Sequence, residues 1–222
     1  MALKSINTRR RRLADEVYDQ LIEAIMNQQI GAHDRLVQEK LAAELQISRT
    51  PVREALMRLE TEGVLEATRS GGFRLVQMKE DEVKNLYEAR AAIEAQSAWL
   101  LAGRADRATL DALRSLIARE EDLTNPTTRD YFAANRNIHR AFVEVTGNRI
   151  LLEMFDNIWG RAMAFHAFAT LQNVEIAKSL GDHLALVDHI AAGDPAAAHN
   201  AFICHIEDGL DLQIAGLRME QD

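Results

Sequence analysis

The sequence predicts a mainly α protein in two parts, an N-terminal winged helix-turn-helix over residues 1–78 and an all-α bundle of about six helices over residues 79–222. Three observations predict it. Segments with strand character occur only between Val64 and Val76, and three short amphipathic helices can be read ahead of them. Beyond Asp81, leucine, alanine and charged residues recur at helical spacing to the C-terminus. Charge divides at the same place: residues 1–78 hold 12 Lys+Arg against 11 Asp+Glu, and the remainder 14 against 23. The overall charge of −8 therefore belongs to the second part and does not exclude a locally basic nucleic-acid face on the first.

The elements follow in order. Leu13, Val17, Leu21 and Ile25 recur every four residues and describe a helix ending near Gln28, preceded by the basic run Arg9 to Arg12, read either as a flexible arm or as a disordered solubilising tail. A polar connection with Gly31 leads to a shorter helix whose apolar face is Leu41, Ala42 and Leu45. Gln46-Ile47-Ser48 forms a tight turn. Ser48 suits the N-cap and Pro51 the first turn of a third helix from about Arg49, with Val52, Ala55, Leu56 and Leu59 inward and Gly63 closing it. Val64–Ala67 and Arg69–Val76 read as two strands around Gly71-Gly72, a candidate wing. Residues near 77–80 form the linker. The second part breaks at Gly103, Asn125-Pro126, Gly147-Asn148, Gln172-Asn173 and Gly193-Asp194-Pro195.

Hydrophobic content of 47% and only three prolines describe a folded chain rather than a disordered one. No run approaches the roughly 20 apolar residues of a membrane span, and MALKSINTRRRR lacks the apolar core of a signal peptide, so the expected location is cytoplasmic, with no membrane partner. The lone cysteine, Cys204, cannot form an internal disulfide and is expected in the core.

Two helices, a tight turn and a hairpin match the helix-turn-helix arrangement, whose second helix enters the major groove. With the apolar residues of the third helix facing inward, Arg49, Thr50 and Arg53 stand near its outward N-terminal end, where two guanidinium groups and a hydroxyl suit phosphates and guanine edges. In the second part, polar residues interrupt apolar stripes. Phe132, Asn135, His139, Phe142 and Thr146 share one stripe. Leu180, His183, Val187 and Ile190 share another, and Ala198, Phe202, His205, Gly209 and Leu212 a third. An interior imidazole on each of three helices makes a nitrogen-rich candidate site for a divalent transition metal of the Zn, Ni or Mn class. His189 and His199 fall off the stripes and are expected at the surface. Arg90 shares a stripe with Leu86, Ile93 and Ser97, so it points inward and needs an anion: Glu94 one turn on, or a small carboxylate effector. His166 lies on the apolar side of Leu152, Phe155 and Trp159 and is a candidate for lining an effector cavity.

The run Ser48-Arg49-Thr50-Pro51-Val52-Arg53-Glu54-Ala55-Leu56, after Leu41-Ala42 and before Leu59-Glu60 and Glu62-Gly63, resembles the GntR superfamily of bacterial regulators. Asn135 to His139 ahead of Thr146-Gly147-Asn148, His183 ahead of Gly193-Asp194, and His205 are similar to the FCD ligand-sensing domain of its FadR subfamily, and the helix count resembles the VanR type. The resemblance implies a transcription regulator, a repressor in sense, rather than an enzyme. It implies operator contacts from Ser48, Arg49, Thr50 and Arg53, with Gly71 and Gly72 letting the wing tip approach the minor groove. It also implies a metal held by one Asp and three His, which map to Asn135, His139, His183 and His205, so that an amide stands where the carboxylate is expected. Glu39 stands where some relatives place an arginine, with Lys40 beside it. The expected partners are a homodimer mate, a short palindromic double-stranded DNA operator and a small organic acid. Two alternatives remain open on the residues: a metal-dependent hydrolase, for which no His-Glu-x-x-His motif is present, and a regulator responding to metal alone.

Overall fold

A computed structural model describes residues 8–27, 29–31, 33–69, 71–76, 79–124, 126–159 and 182–219. The chain divides into two units, Met1–Gln77 and Met78–Asp222.

In the first unit, α1 (Thr8–Met26) buries Val17, Leu21, Ile22, Ile25 and Met26 and packs on α3. Its first turns contain Arg9 to Arg12, so this run has helical backbone and is not the flexible arm expected from its charge. Helix α2 (Gln38–Glu44) and α3 (Arg49–Thr61) are joined by a turn in which Gln46 takes φ 53. Ser48 is the N-cap residue of α3 by position, but its side chain makes no capping hydrogen bond, which leaves the exposed hydroxyl outward. Val52, Leu56 and Leu59 are fully buried, and each such side chain contributes about 1.5–3 kcal/mol relative to exposure. A Schellman motif ends α3: Gly63 N donates to Glu60 O and Val64 N to Leu59 O, with Gly63 at φ 79.

Strands β1 (Leu65–Ala67) and β2 (Phe73–Leu75) pair antiparallel in the register Leu65↔Leu75, Glu66↔Arg74 and Ala67↔Phe73. Both strands are shorter than the sequence suggested, because Thr68 to Gly72 form the connecting turn, closed by Thr68 N donating to Gly72 O. Leu36 adds a third edge through paired backbone bonds with Phe73. This pairing fixes one residue absolutely. Gly72 has φ 85, and a Cβ there would lie 2.6 Å from the Leu36 carbonyl oxygen. Gly72→Ala is expected to cost on the order of 2 kcal/mol from left-handed strain and the backbone clash. Denaturation of the first unit followed by circular dichroism reads this, and an unchanged midpoint would show that the turn takes another form.

The second unit contains six helices among the described residues: α4 (Glu80–Ala102), α5 (Arg107–Glu121), α6 (Thr128–Glu144), α7 (Arg149–Trp159), α8 (His183–Ala191) and α9 (Pro195–Met219). Local signals set their starts. The Asp106 carboxylate accepts from Thr109 N at α5, and Thr127 with Asp130 forms a capping box at α6. Helix α4 is central, packing against α6, α7, α8 and α9, with α9 running along it. Ala95, Ala98 and Leu101 of α4 meet Leu113, Ile117, Ile138, Phe142, Val187, Ile190 and Phe202 in the main core. Its small side chains let four helices approach one rod.

The expected breaks at Gly103, Gly147 and Gly193 separate these helices, whereas Gln172-Asn173, Leu180 and His166 lie outside the described residues. Cys204 is exposed, contrary to its expected core placement, and His199 is half-buried edge-on against Trp99 rather than free at the surface. No helix among the described residues is long and apolar enough to cross a membrane.

Candidate functional site

Ser48, Arg49, Thr50 and Arg53 are all exposed at the N-terminal end of α3, because the opposite side of that helix is fixed by its buried Val52, Ala55 and Leu56. Gly71 is exposed at the wing tip, where its carbonyl accepts from Arg35 Nε at 2.7 Å. Arg49 is exposed but carries an ion pair that the sequence did not suggest. Its Nη1 lies 3.1 Å from Glu39 Oε1, while Gln38 Nε2 donates to the Arg49 carbonyl and ties α2 to the start of α3. Among the described residues Arg53 makes no ion pair, so its guanidinium faces outward uncommitted.

In the second unit α6, α8 and α9 bring His139, His183 and His205 together, with their candidate ligand atoms all within 4.8 Å of one another. His139 Nε2 lies 3.3 Å from His183 Nε2 and 3.4 Å from His205 Nε2. Each of the first two rings meets a carboxylate on its other nitrogen: His183 Nδ1 is 3.0 Å from Glu121 Oε1, and His139 Nδ1 is 2.5 Å from Glu94 Oε2. An ionised carboxylate only accepts, so Glu121 places the proton of His183 on Nδ1 and turns its Nε2 lone pair to the cluster, while His139 Nδ1 and Glu94 Oε2 touch as a charge contact without hydrogen-bond alignment. At 3.3 Å this lone pair is satisfied either by an Nε2–H of His139 or by a cation held between the two rings. Nitrogens sharing one zinc at about 2.0–2.1 Å stand about 2.9–3.4 Å apart at right to tetrahedral angles, which the two short separations match.

Burial drives the His139 pKa down to about 4, against the opposing pull of Glu94. His205 is also pushed well down, by burial first and then by the other two imidazoles. Both rings are therefore neutral at pH 7 and able to ligate. Asn135, one turn before His139, is 4% exposed, and its Oδ1 has no hydrogen-bond partner. A buried amide oxygen with no partner calls for a donor or a cation. The residues present thus fit a divalent metal, and Asn135 belongs to the same cavity as His139 and His205.

That cavity has a volume of about 430 Å³ and is also lined by Tyr87, Arg90 and Asp182. Arg90 is buried as expected, but its Nε already donates to Glu94 Oε1 at 3.0 Å, and its guanidinium lies over the rings of Tyr87 and Trp159. Trp159 Nε1 donates to the same Glu94 oxygen at 3.3 Å. Burial would raise the Glu94 pKa, yet Arg90 and His139 outweigh it and hold the carboxyl well below the usual range. Sequence reasoning offered Glu94 as a partner of Arg90 but missed its contact with His139, and it missed Glu121 altogether.

A winged helix with exposed arginines at the start of α3, followed by an all-α domain with an internal polar site, is the arrangement of a two-domain transcription regulator, and the family profiles agree. The FCD domain profile matches residues 85–208 and the profile for bacterial regulatory proteins of the gntR family matches residues 13–75. The chain belongs to the gntR family of bacterial regulators and carries the FCD domain. It is 27% identical over 194 residues to the "Probable D-xylose utilization operon transcriptional repressor" of Paenarthrobacter nicotinovorans, covering 87% of this chain and 85% of that protein. It is 26% identical over 207 residues to the Uxu operon regulator of Haemophilus influenzae, covering 84% and 77%. The solved structure of E. coli McbR/YncC shares the fold, with a TM-score of 0.65 at 20% identity over 95% of this chain and 99% of that one.

Proposed function

We propose that the protein is a cytoplasmic repressor that binds a short palindromic operator as a homodimer and releases it when a small carboxylate binds beside a metal in the second unit. His139, His183 and His205 hold the metal, of the Zn, Ni or Mn class, with Asn135 as a weaker fourth ligand. Arg90 receives the acid. The observation that carries this reading is the set of inward-facing imidazole nitrogens in a cavity that Arg90 also lines. A bound ion there supplies a positive centre that attracts carboxylate oxygens. The chain's own residues do the rest: Glu94 and Glu121 orient the rings, and the buried walls raise the strength of each charge contact. The repressor sense follows the name of the D-xylose relative, and two-fold operator symmetry follows the usual pairing of dimer and palindrome.

One observation favours a second reading. Glu94 already neutralises Arg90, so a regulator answering to metal alone needs no external anion. Metal analysis of the purified protein, with thermal shifts for a panel of small carboxylic and hydroxycarboxylic acids before and after chelation, separates the two. An acid that stabilises only the metal-loaded form supports the first reading, and metal-dependent operator affinity without any responding acid supports the second. Protein that takes up no metal overturns both. Asn135→Asp restores a charged fourth ligand and is expected to raise zinc affinity on the order of tenfold or more. Unchanged affinity would remove Asn135 from the ligand set.

A further inference from the structure

Glu94 is fully buried, and its two oxygens face different sites. Oε1 accepts from Arg90 Nε and Trp159 Nε1, while Oε2 meets His139 Nδ1. No second carboxylate stands in this position among the described residues, since Glu121 serves His183 alone at the other side of the imidazole cluster. Trp159 bridges the same pair from above: Arg90 lies 4.4 Å from its ring, and the His139 ring stacks on it at a 5.9 Å centroid separation. Arg90, Glu94, His139 and Trp159 thus form one desolvated unit, of which Arg90 and His139 line the cavity.

We propose that Glu94 is a coupling residue, sharing one negative charge between Arg90 and His139 so that occupation of either side changes the affinity of the other. The inference rests on the metal reading above. A carboxylate polarised towards a guanidinium offers less charge to the imidazole on its other oxygen. When an anion draws Arg90 away, more of the Glu94 charge is left for the His139 ring beside it, that ring becomes a more basic ligand, and metal is held more tightly. Reciprocity then requires a bound metal to favour the anion by the same factor. Glu94 is a positioning residue in this scheme, since it touches neither ligand.

The test uses zinc alone as the probe, with affinity read by competition against a chromophoric chelator. Glu94→Gln is expected to lower zinc affinity about ten- to a hundredfold, as loss of an outer-shell partner does. Arg90→Lys keeps the charge but loses the Nε contact, and is expected to raise zinc affinity severalfold in the native background and to leave it unchanged in the Glu94→Gln background. Glu121→Gln should weaken zinc similarly to Glu94→Gln yet remain additive with Arg90→Lys. If Glu94→Gln fails to fold, Glu94→Asp keeps the charge on a side chain too short to span both partners and should show the same loss of coupling. An Arg90→Lys effect of equal size with and without Glu94 overturns the proposal while leaving the metal centre standing. Absence of zinc binding by the native protein overturns the metal reading itself, and this inference with it.

Discussion

Arg53→Ala is expected to abolish specific operator binding while leaving the protein folded. Arg53 is exposed on α3 and has no ion pair among the described residues, so no native contact is lost and stability should move by no more than about 0.5 kcal/mol. A bidentate arginine contact to guanine contributes about 1–3 kcal/mol of discrimination, and the proposed dimer would make it twice. The loss is therefore roughly 30- to 20,000-fold in affinity at about 1.4 kcal/mol per tenfold. Anisotropy titrations against a duplex selected by the native protein, at one fixed salt concentration, give the number. If specific affinity falls only to the extent that non-specific affinity does, Arg53 touches phosphate rather than base. If neither changes, α3 is not the recognition helix. Arg49 should behave differently, because Glu39 competes for it and part of its contribution is spent on breaking that 3.1 Å pair.

His139→Ala has the largest expected effect in the second unit. His139 stands within 3.4 Å of both other imidazoles, stacks on Trp159 and meets Glu94, so its removal deletes a ligand and strips one partner from a buried carboxylate. Zinc affinity should fall by more than the ten- to hundredfold of an outer-shell loss, and the metal-free protein should itself lose about 1–3 kcal/mol for the buried Glu94 oxygen left without its polar neighbour. Equilibrium dialysis reads the first effect and urea denaturation the second. The first unit carries its own core, so its far-ultraviolet helix signal should survive at urea concentrations that unfold the mutant second unit. A variant that keeps its full zinc stoichiometry at native affinity would falsify the centre.

Much of this architecture was legible in the chain. Apolar residues at helical spacing announced every described helix, and the single turn pattern around Gly71-Gly72 announced the hairpin, because buried faces must keep the period of the backbone that carries them. The imidazoles stood out for a related reason: His139, His183 and His205 sit on stripes that burial reserves for apolar side chains. Residue type misled where it was set against period. Cysteine is commonly buried, but Cys204 follows Phe202 by two residues, about 200° around α9, and so faces outward. His199 sits beside the stripe rather than opposite it, which accounts for its half-burial.

Relations between helices were not legible. Glu94 follows Arg90 by one turn, so that pair could be read, but its approach to His139 depends on how α4 and α6 pack. Glu121 ends α5 in a run of acidic residues, and nothing in the local pattern separates it from Glu120 or Asp122. The Glu39–Arg49 pair likewise crosses from α2 to α3, so a substitution that had looked like a lost DNA contact becomes a partner for another one.

Helix α9 carries His205 near its middle and Arg218 near its end, and Arg218 holds Glu80 in the first turn of α4 through two bonds of 2.7 and 3.1 Å. Thirteen residues at 1.5 Å each make a span of about 20 Å. One end rests on the imidazole cluster and the other grips the helical turn that first continues the chain beyond residue 78. One helix thus carries both an imidazole of the cluster and the clasp on the start of α4.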